Sequence, residues 1–176
     1  GNKYKLLPFI KKIVGEQCQN IHTVADVFAG TGAVASAFTD KKLITNDNMY
    51  SNYICHVAWF GGEAFSGEKI AGLIDGYNAM EVSEDNYMSD NFADTYFSSA
   101  DCRKIGYIRE DVERRYDRRE LNGRERALLI TSLLYAMDKI ANTCGHYDAY
   151  RQGVVLEDRL KLLIPEPDEG LHDGNV

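Results

Sequence analysis

The stretch Asp26-Val27-Phe28-Ala29-Gly30-Thr31-Gly32-Ala33-Val34-Ala35, DVFAGTGAVA, constrains the fold of this chain more than any other. Residues 24–28 form a short apolar run with one polar member, Asp26, which is the pattern of a buried strand. The run stops at the glycine turn, and residues 31–38 then read as a helix. Residues 42–45 give a second short strand that ends at Asn46-Asp47-Asn48. A strand, a glycine turn, a helix and a strand with an acid at its tip imply an α/β fold.

Gly30, Gly32 and Ala35 satisfy the pattern G-x-G-x-x-G/A. In that pattern the first glycine permits a tight turn, the second lets a ligand approach the backbone, and the small third residue lets helix lie against strand. Asp47 stands where a carboxylate can accept hydrogen bonds from both hydroxyls of a ribose, each contributing about 1.5–3 kcal/mol. An adenosine-containing ligand follows; the alternative is a turn that serves packing alone. A nicotinamide dinucleotide expects its acid about 20 residues beyond the turn, later than Asp47, and a longer series of parallel strands. Phe28 offers an aromatic face to an adenine ring or to a sulfonium cation, and S-adenosylmethionine carries that cation.

The remaining elements are coarser. Residues 3–14 suit an amphipathic helix with Pro8 in an early turn and Gly15 as its stop. Residues 49–60 read as a helix broken by Gly61-Gly62. From 65 to 101 the pattern is weak and reads as irregular structure with short helices. Ser98-Ser99 and Asp101 can cap a helix that runs to about Glu120, where Asn122-Gly123 makes a turn. Residues 124–142 form the strongest helix, apolar around most of its circumference and suited to a core. The stretch after Leu163 carries Pro165, Pro167, Gly170 and Gly174 and reads as a linker. No internal repeat is visible.

With 176 residues the chain fits one domain, or one with a small appendage. No apolar run approaches the roughly 20 residues of a membrane span, and there is no signal-peptide pattern, so a cytoplasmic protein without membrane contact is expected. Cys18, Cys55, Cys102 and Cys144 form no C-x-x-C pair and have no ligand spacing with the four histidines; buried free thiols are expected, and no metal. The formal charge of −7 is unevenly spread: residues 103–126 carry nine Lys and Arg against six acids. Such a segment is either a solvated helix face or a nucleic-acid contact.

Three further stretches, read with DVFAGTGAVA, resemble a family: Gly1-Asn2-Lys3-Tyr4-Lys5-Leu6-Leu7, Asp94-Thr95-Tyr96-Phe97 leading into Lys104-Ile105-Gly106-Tyr107-Ile108-Arg109, and Ala141-Asn142-Thr143-Cys144-Gly145-His146-Tyr147-Asp148-Ala149-Tyr150. Together with Asn46-Asp47 they resemble the D12-class, Dam-like DNA adenine-N6 methyltransferases, and more narrowly the type IIS modification enzymes related to the FokI methylase. The resemblance implies a partial Rossmann-like, S-adenosylmethionine-dependent methyltransferase fold with a largely helical insertion. It implies that Lys3 and Tyr4 stand beside the methionine end of the cofactor, with Lys3 also near the target base. Phe28, Ala29, Gly30, Thr31 and Gly32 line the cofactor, and Asp47 holds its ribose. It also implies double-stranded DNA as partner, contacted by Lys3, Arg114, Arg115, Arg118, Arg119 and His146. Residues 1–64 then belong to the cofactor-binding domain, 65–150 to a target-recognition region, and 151–176 to a linker. Members of the family transfer the methyl group with an Asp-Pro-Pro-Tyr sequence. Pro8, Pro165 and Pro167 are this chain's only prolines and no two are adjacent, so that sequence is absent and no catalytic residue is assigned. The expectation is an N-terminal portion, inactive alone, that needs a catalytic half or a second chain. The rival readings are a non-catalytic DNA-specificity or dimerisation module and, in a different class, a nicotinamide- or flavin-binding protein.

Overall fold

The computed structural model describes residues 3–167. Gly1 and Asn2 of the first motif, and residues 168–176 with Gly170, Gly174 and the closing Asp173-Gly174-Asn175-Val176, lie outside the described residues. The chain divides into two compact units, one running to Phe65 and including residues 166–167, the other Ser66–Pro165.

In the first unit a 3₁₀ turn, Lys3–Leu6, leads into α1, Leu7–Gln17. Pro8 sits in the first turn of α1, where its missing N–H removes no helical bond. Gly15 does not stop this helix. A glycine costs a helix only about 1 kcal/mol relative to alanine, and the packing of Ile10 and Val14 on the core outweighs it. β1, Thr23–Asp26, and β2, Lys42–Thr45, pair in parallel, with Thr23 opposite Lys42 and Asp26 opposite Thr45. Leu43 and Thr45 are buried on one face while Lys42 and Ile44 are exposed on the other. The covered face rests on Ala35, Phe38, Leu43 and Phe60, flanked by Ile10, Val14, Val24 and Trp59.

The helix expected over residues 31–38 is reduced to a 3₁₀ turn, Ala35–Phe38. Gly32 has φ +90°, which no right-handed helix accommodates. Only the residues after it can coil before Lys41 leads back to the sheet. α2, Tyr50–Phe60, ends at Gly61 as the sequence implies.

The second unit is helical: α3 (Gly67–Ala79), α4 (Tyr87–Phe92), α5 (Ser99–Asp117) and α6 (Gly123–Ile140). α3 is a helix of 13 residues in the stretch expected to be irregular structure with short helices. Its Ile70, Ile74 and Tyr77 are buried at helical spacing, and Ser66 caps it by accepting the Lys69 N–H. α5 is capped by Ser98 through the Asp101 N–H and stops short of Glu120, because Arg119 turns into the left-handed region at φ 59°. Asn122 is more than a turn residue: it makes a reciprocal capping box with Glu125 at the start of α6. Leu128, Leu129 and Leu133 of α6 are buried.

The segment after residue 157 lacks periodicity, yet it is fixed to this unit. Buried Asp101 accepts the N–H groups of Arg159 and Leu160, Asn78 exchanges two hydrogen bonds with Leu162, and the Ser132 hydroxyl donates to the Leu163 carbonyl. All four cysteines are free, but only Cys55 and Cys102 are buried; Cys18 and Cys144 are exposed, against the expectation for all four. Among the described residues no helix is long and apolar enough to cross a membrane.

Candidate functional site

The glycine turn is braced by side chains from later elements. Gly30, at φ +57°, gives its N–H to Asp47 Oδ2 at 2.9 Å. Its carbonyl lies 2.7 Å from Nε2 of His56, and since a carbonyl can only accept, that nitrogen carries the proton. Backbone bonds extend the strand pairing into the turn: Asn46 N–H donates to Asp26 and Ala29 N–H to Asn46. The Asn46 amide also donates to Val27 O at 3.1 Å. From the N-terminal side, Lys3 Nζ donates to Phe28 O at 2.9 Å.

The two glycines answer different needs. A Cβ on Gly30 would meet nothing within 4 Å. A Cβ on Gly32 would stand 2.7 Å from Phe60 Cε2, so the absence of a side chain here admits an aromatic ring of α2. Gly32 and Ala29 are buried. The accessible wall consists of Phe28, 80% exposed, with Gly30 and exposed Thr31. Tyr4, also expected here, is exposed beside Lys3.

Asp47 is more heavily engaged than a free ribose acceptor. Besides Gly30, it accepts from the Met49 N–H and the Asn52 side-chain amide, each at 3.0 Å. The Asn52 amide, then the Met49 and Gly30 N–H groups, hold its carboxyl down at about 2. A carboxylate has about four acceptor positions, so three are occupied and one remains. Asp26 Oδ2, at the end of β1, is buried without a partner among the described residues. A donor from a ligand or an ordered water would satisfy it. His56, Asn52 and Phe60 escape sequence reasoning: each is a single residue on α2, and only the α2 periodicity, which turns them toward the sheet, hints at them.

The arginines of α5 separate into two kinds. Arg114 Nη2 and Arg115 Nε both donate to buried Asp111, at 2.7 and 2.6 Å, and Arg115 also reaches Glu120. The Tyr77 hydroxyl donates to the same carboxylate at 2.8 Å. Burial raises the carboxyl's affinity for a proton, but these three donors overcome it and hold Asp111 below the usual range. Arg114 and Arg115 are therefore engaged in holding α5 together. Arg118 and Arg119 are exposed, with no ion pair among the described residues. His146 is exposed and lies 3.6 Å from Asp148. Its loop is closed by Asn142, whose amide donates to Thr95 O and Arg151 O, and by the Tyr96 hydroxyl, which donates to Tyr147 O at 2.6 Å.

Parallel strands joined across a glycine turn, with helices packed on the sheet, place the chain among α/β proteins. The family model for D12 class N6 adenine-specific DNA methyltransferase matches residues 1–168, and the chain belongs to that family. It is 28% identical over 166 residues to type II methyltransferase M.FokI of Planomicrobium okeanokoites, with 85% of this chain and 26% of that protein covered. The same identity and coverage hold for modification methylase LlaI of Lactococcus lactis subsp. lactis. Type II methyltransferase M.NlaIII of Neisseria lactamica is 28% identical over 178 residues, covering 95% of this chain and 52% of that protein. The chain thus spans from about a quarter to about a half of these relatives. No solved structure matches it.

Proposed function

We propose that this chain supplies the methyl-donor turn and a DNA-contacting region of a site-specific adenine-N6 methyltransferase of restriction-modification type. The whole enzyme uses S-adenosylmethionine to methylate adenine in duplex DNA in the cytoplasm, on a Rossmann-like sheet. The observation that carries the reading is the Gly30 peptide, held in a left-handed conformation by Asp47 and His56 beside an exposed aromatic, Phe28. The residues present fit the donor. Gly30 leaves open space at the backbone, Phe28 offers a π face to a sulfonium or an adenine, Asp47 keeps one acceptor position for a ribose hydroxyl, and Asp26 keeps a buried orphan oxygen. When bound, the donor supplies an electrophilic methyl group on sulfur. The chain's own residues position it: Lys3 fixes the Phe28 carbonyl, and Asp47 and His56 fix the peptide that follows. Of the second-unit side chains expected to meet DNA, Arg118, Arg119 and His146 are exposed and not held by Asp111, which leaves them available for phosphate contact.

Without an Asp-Pro-Pro-Tyr sequence, the 176-residue chain is expected to bind donor and transfer nothing. Calorimetry with S-adenosylhomocysteine and with NAD tests the cofactor: binding of the first and not the second is expected, and the reverse result overturns the reading. Labelled methyl groups appearing in DNA with the purified chain alone would refute the claim of inactivity. A second reading, a module that works with a catalytic chain, is favoured by the exposed face of the parallel sheet, where Ala25 and Ile44 stand uncovered. Purely parallel sheets are normally buried on both faces.

A further inference from the structure

We propose that His56 is a positioning residue of the methyl-donor turn, locking the Gly30 peptide in the conformation that receives the ligand; this rests on the cofactor reading above. His56 is 1% exposed, on the face of α2 turned toward the turn, and its Nε2–H donates to Gly30 O at 2.7 Å. Its ring lies 6.5 Å from that of Phe60, whose edge occupies the space over Gly32. One helix therefore holds both glycines, the first by a hydrogen bond and the second by packing.

The polar ring is not needed to fill volume, since a leucine or phenylalanine would do so without the cost of burying a polar group. The imidazole contributes what those residues lack, a donor aimed at one carbonyl. Asp47 takes the N–H of the same residue. Gly30 is thus gripped on both sides in a conformation with φ +57°, from which a glycine otherwise leaves freely. The next residue, Thr31, is exposed, and its N–H has no partner among the described residues. The grip fixes where that free donor lies. Without it the turn samples other conformations, and the ligand must then reorder them on binding.

The test uses the 176-residue chain with His56→Leu and His56→Gln. The leucine keeps the volume and removes the donor; the glutamine keeps an amide donor of similar reach. A net hydrogen bond of ordinary strength corresponds to a loss of about five- to tenfold in S-adenosylhomocysteine affinity for His56→Leu, with most of it restored in His56→Gln. Equal affinity in His56→Leu and the parent overturns the proposal, as does a glutamine variant no better than leucine while both unfold at the parent's denaturant midpoint. Where His56→Leu does not fold, a long-range ¹H–¹⁵N spectrum of the parent decides. A slowly exchanging Nε2–H is expected, and an Nδ1–H tautomer overturns the proposal. That spectrum is read without ligand, so a parent chain that shows the Nε2–H but binds no S-adenosylhomocysteine indicts the cofactor reading and not the hydrogen bond.

Discussion

Gly30 and Gly32 occupy neighbouring places in one motif, yet substitution separates them. Alanine at Gly30 meets no atom and incurs only the left-handed backbone cost, about 1–2 kcal/mol. Alanine at Gly32 adds a collision with Phe60, so about 2–4 kcal/mol is expected. Denaturant unfolding followed through Trp59, the one tryptophan and a neighbour of this core, reads both. Phe60→Leu in the Gly32→Ala background should recover part of the loss, a non-additivity absent with Gly30→Ala. Asp47 gives a pH signature at the same scale. Its folded carboxyl is held at about 2 by Asn52, Met49 and Gly30, whereas an unfolded aspartate titrates near about 3.9. A depressed carboxyl contributes its stability above the unfolded value and loses it as pH falls toward the folded one. The Trp59 transition should therefore weaken between about pH 4 and 2, and Asp47→Asn should remove the share of that loss which Asp47 contributes. Of this site the sequence makes the turn and Asp47 legible, because both fall at fixed places in a pattern. His56 is hidden, since its partner is a carbonyl 26 residues away and any residue supplies a carbonyl.

At the scale of elements, charge counted along α5 misleads because it ignores partners. Arg115→Ala removes a donor from buried Asp111 and should cost about 1–3 kcal/mol of stability. Arg118→Ala with Arg119→Ala should leave the unfolding midpoint nearly unchanged, within about 0.5 kcal/mol. If those two arginines meet phosphates, the double variant weakens DNA binding across sequences and lowers the salt slope by about one for each phosphate no longer neutralised. An unchanged slope in a fluorescence-anisotropy titration would remove them from the interface. The same distinction between local pattern and tertiary partner explains which elements the sequence reveals. α2, α5 and α6 carry continuous apolar periodicity and can be read directly. α3 is obscured by Gly67, Gly72 and Gly76, which weaken a helical pattern, and exists because Ile70, Ile74 and Tyr77 find a core. The helix expected after the glycine turn fails for the opposite reason: its residues favour coiling, but Gly32 must adopt φ +90° beneath Phe60.

At the scale of the whole molecule, the sheet is the feature that calls for more protein. Two parallel strands with Ala25 and Ile44 uncovered on one face make an arrangement that parallel sheets rarely tolerate in water. Each strand, paired only with the other among the described residues, also keeps one free edge that can accept a further strand. Relatives such as M.FokI and M.NlaIII extend well beyond the length matched here. If the proposed function holds, a segment that carries the Asp-Pro-Pro-Tyr sequence expected of the family would meet this surface with an apolar strand and helix. Mixing that segment with the 176-residue chain should then yield methyl transfer to DNA that neither gives alone. The surface itself is tested by Ala25→Arg and Ile44→Lys, placed on the bare face where neither side chain supports the core of the isolated chain. Both variants should unfold like the parent, retain S-adenosylhomocysteine binding and lose complementation. Complementation undiminished by a charge at either position would mean that the catalytic region docks elsewhere, and that the bare face is covered by something other than the rest of the sheet.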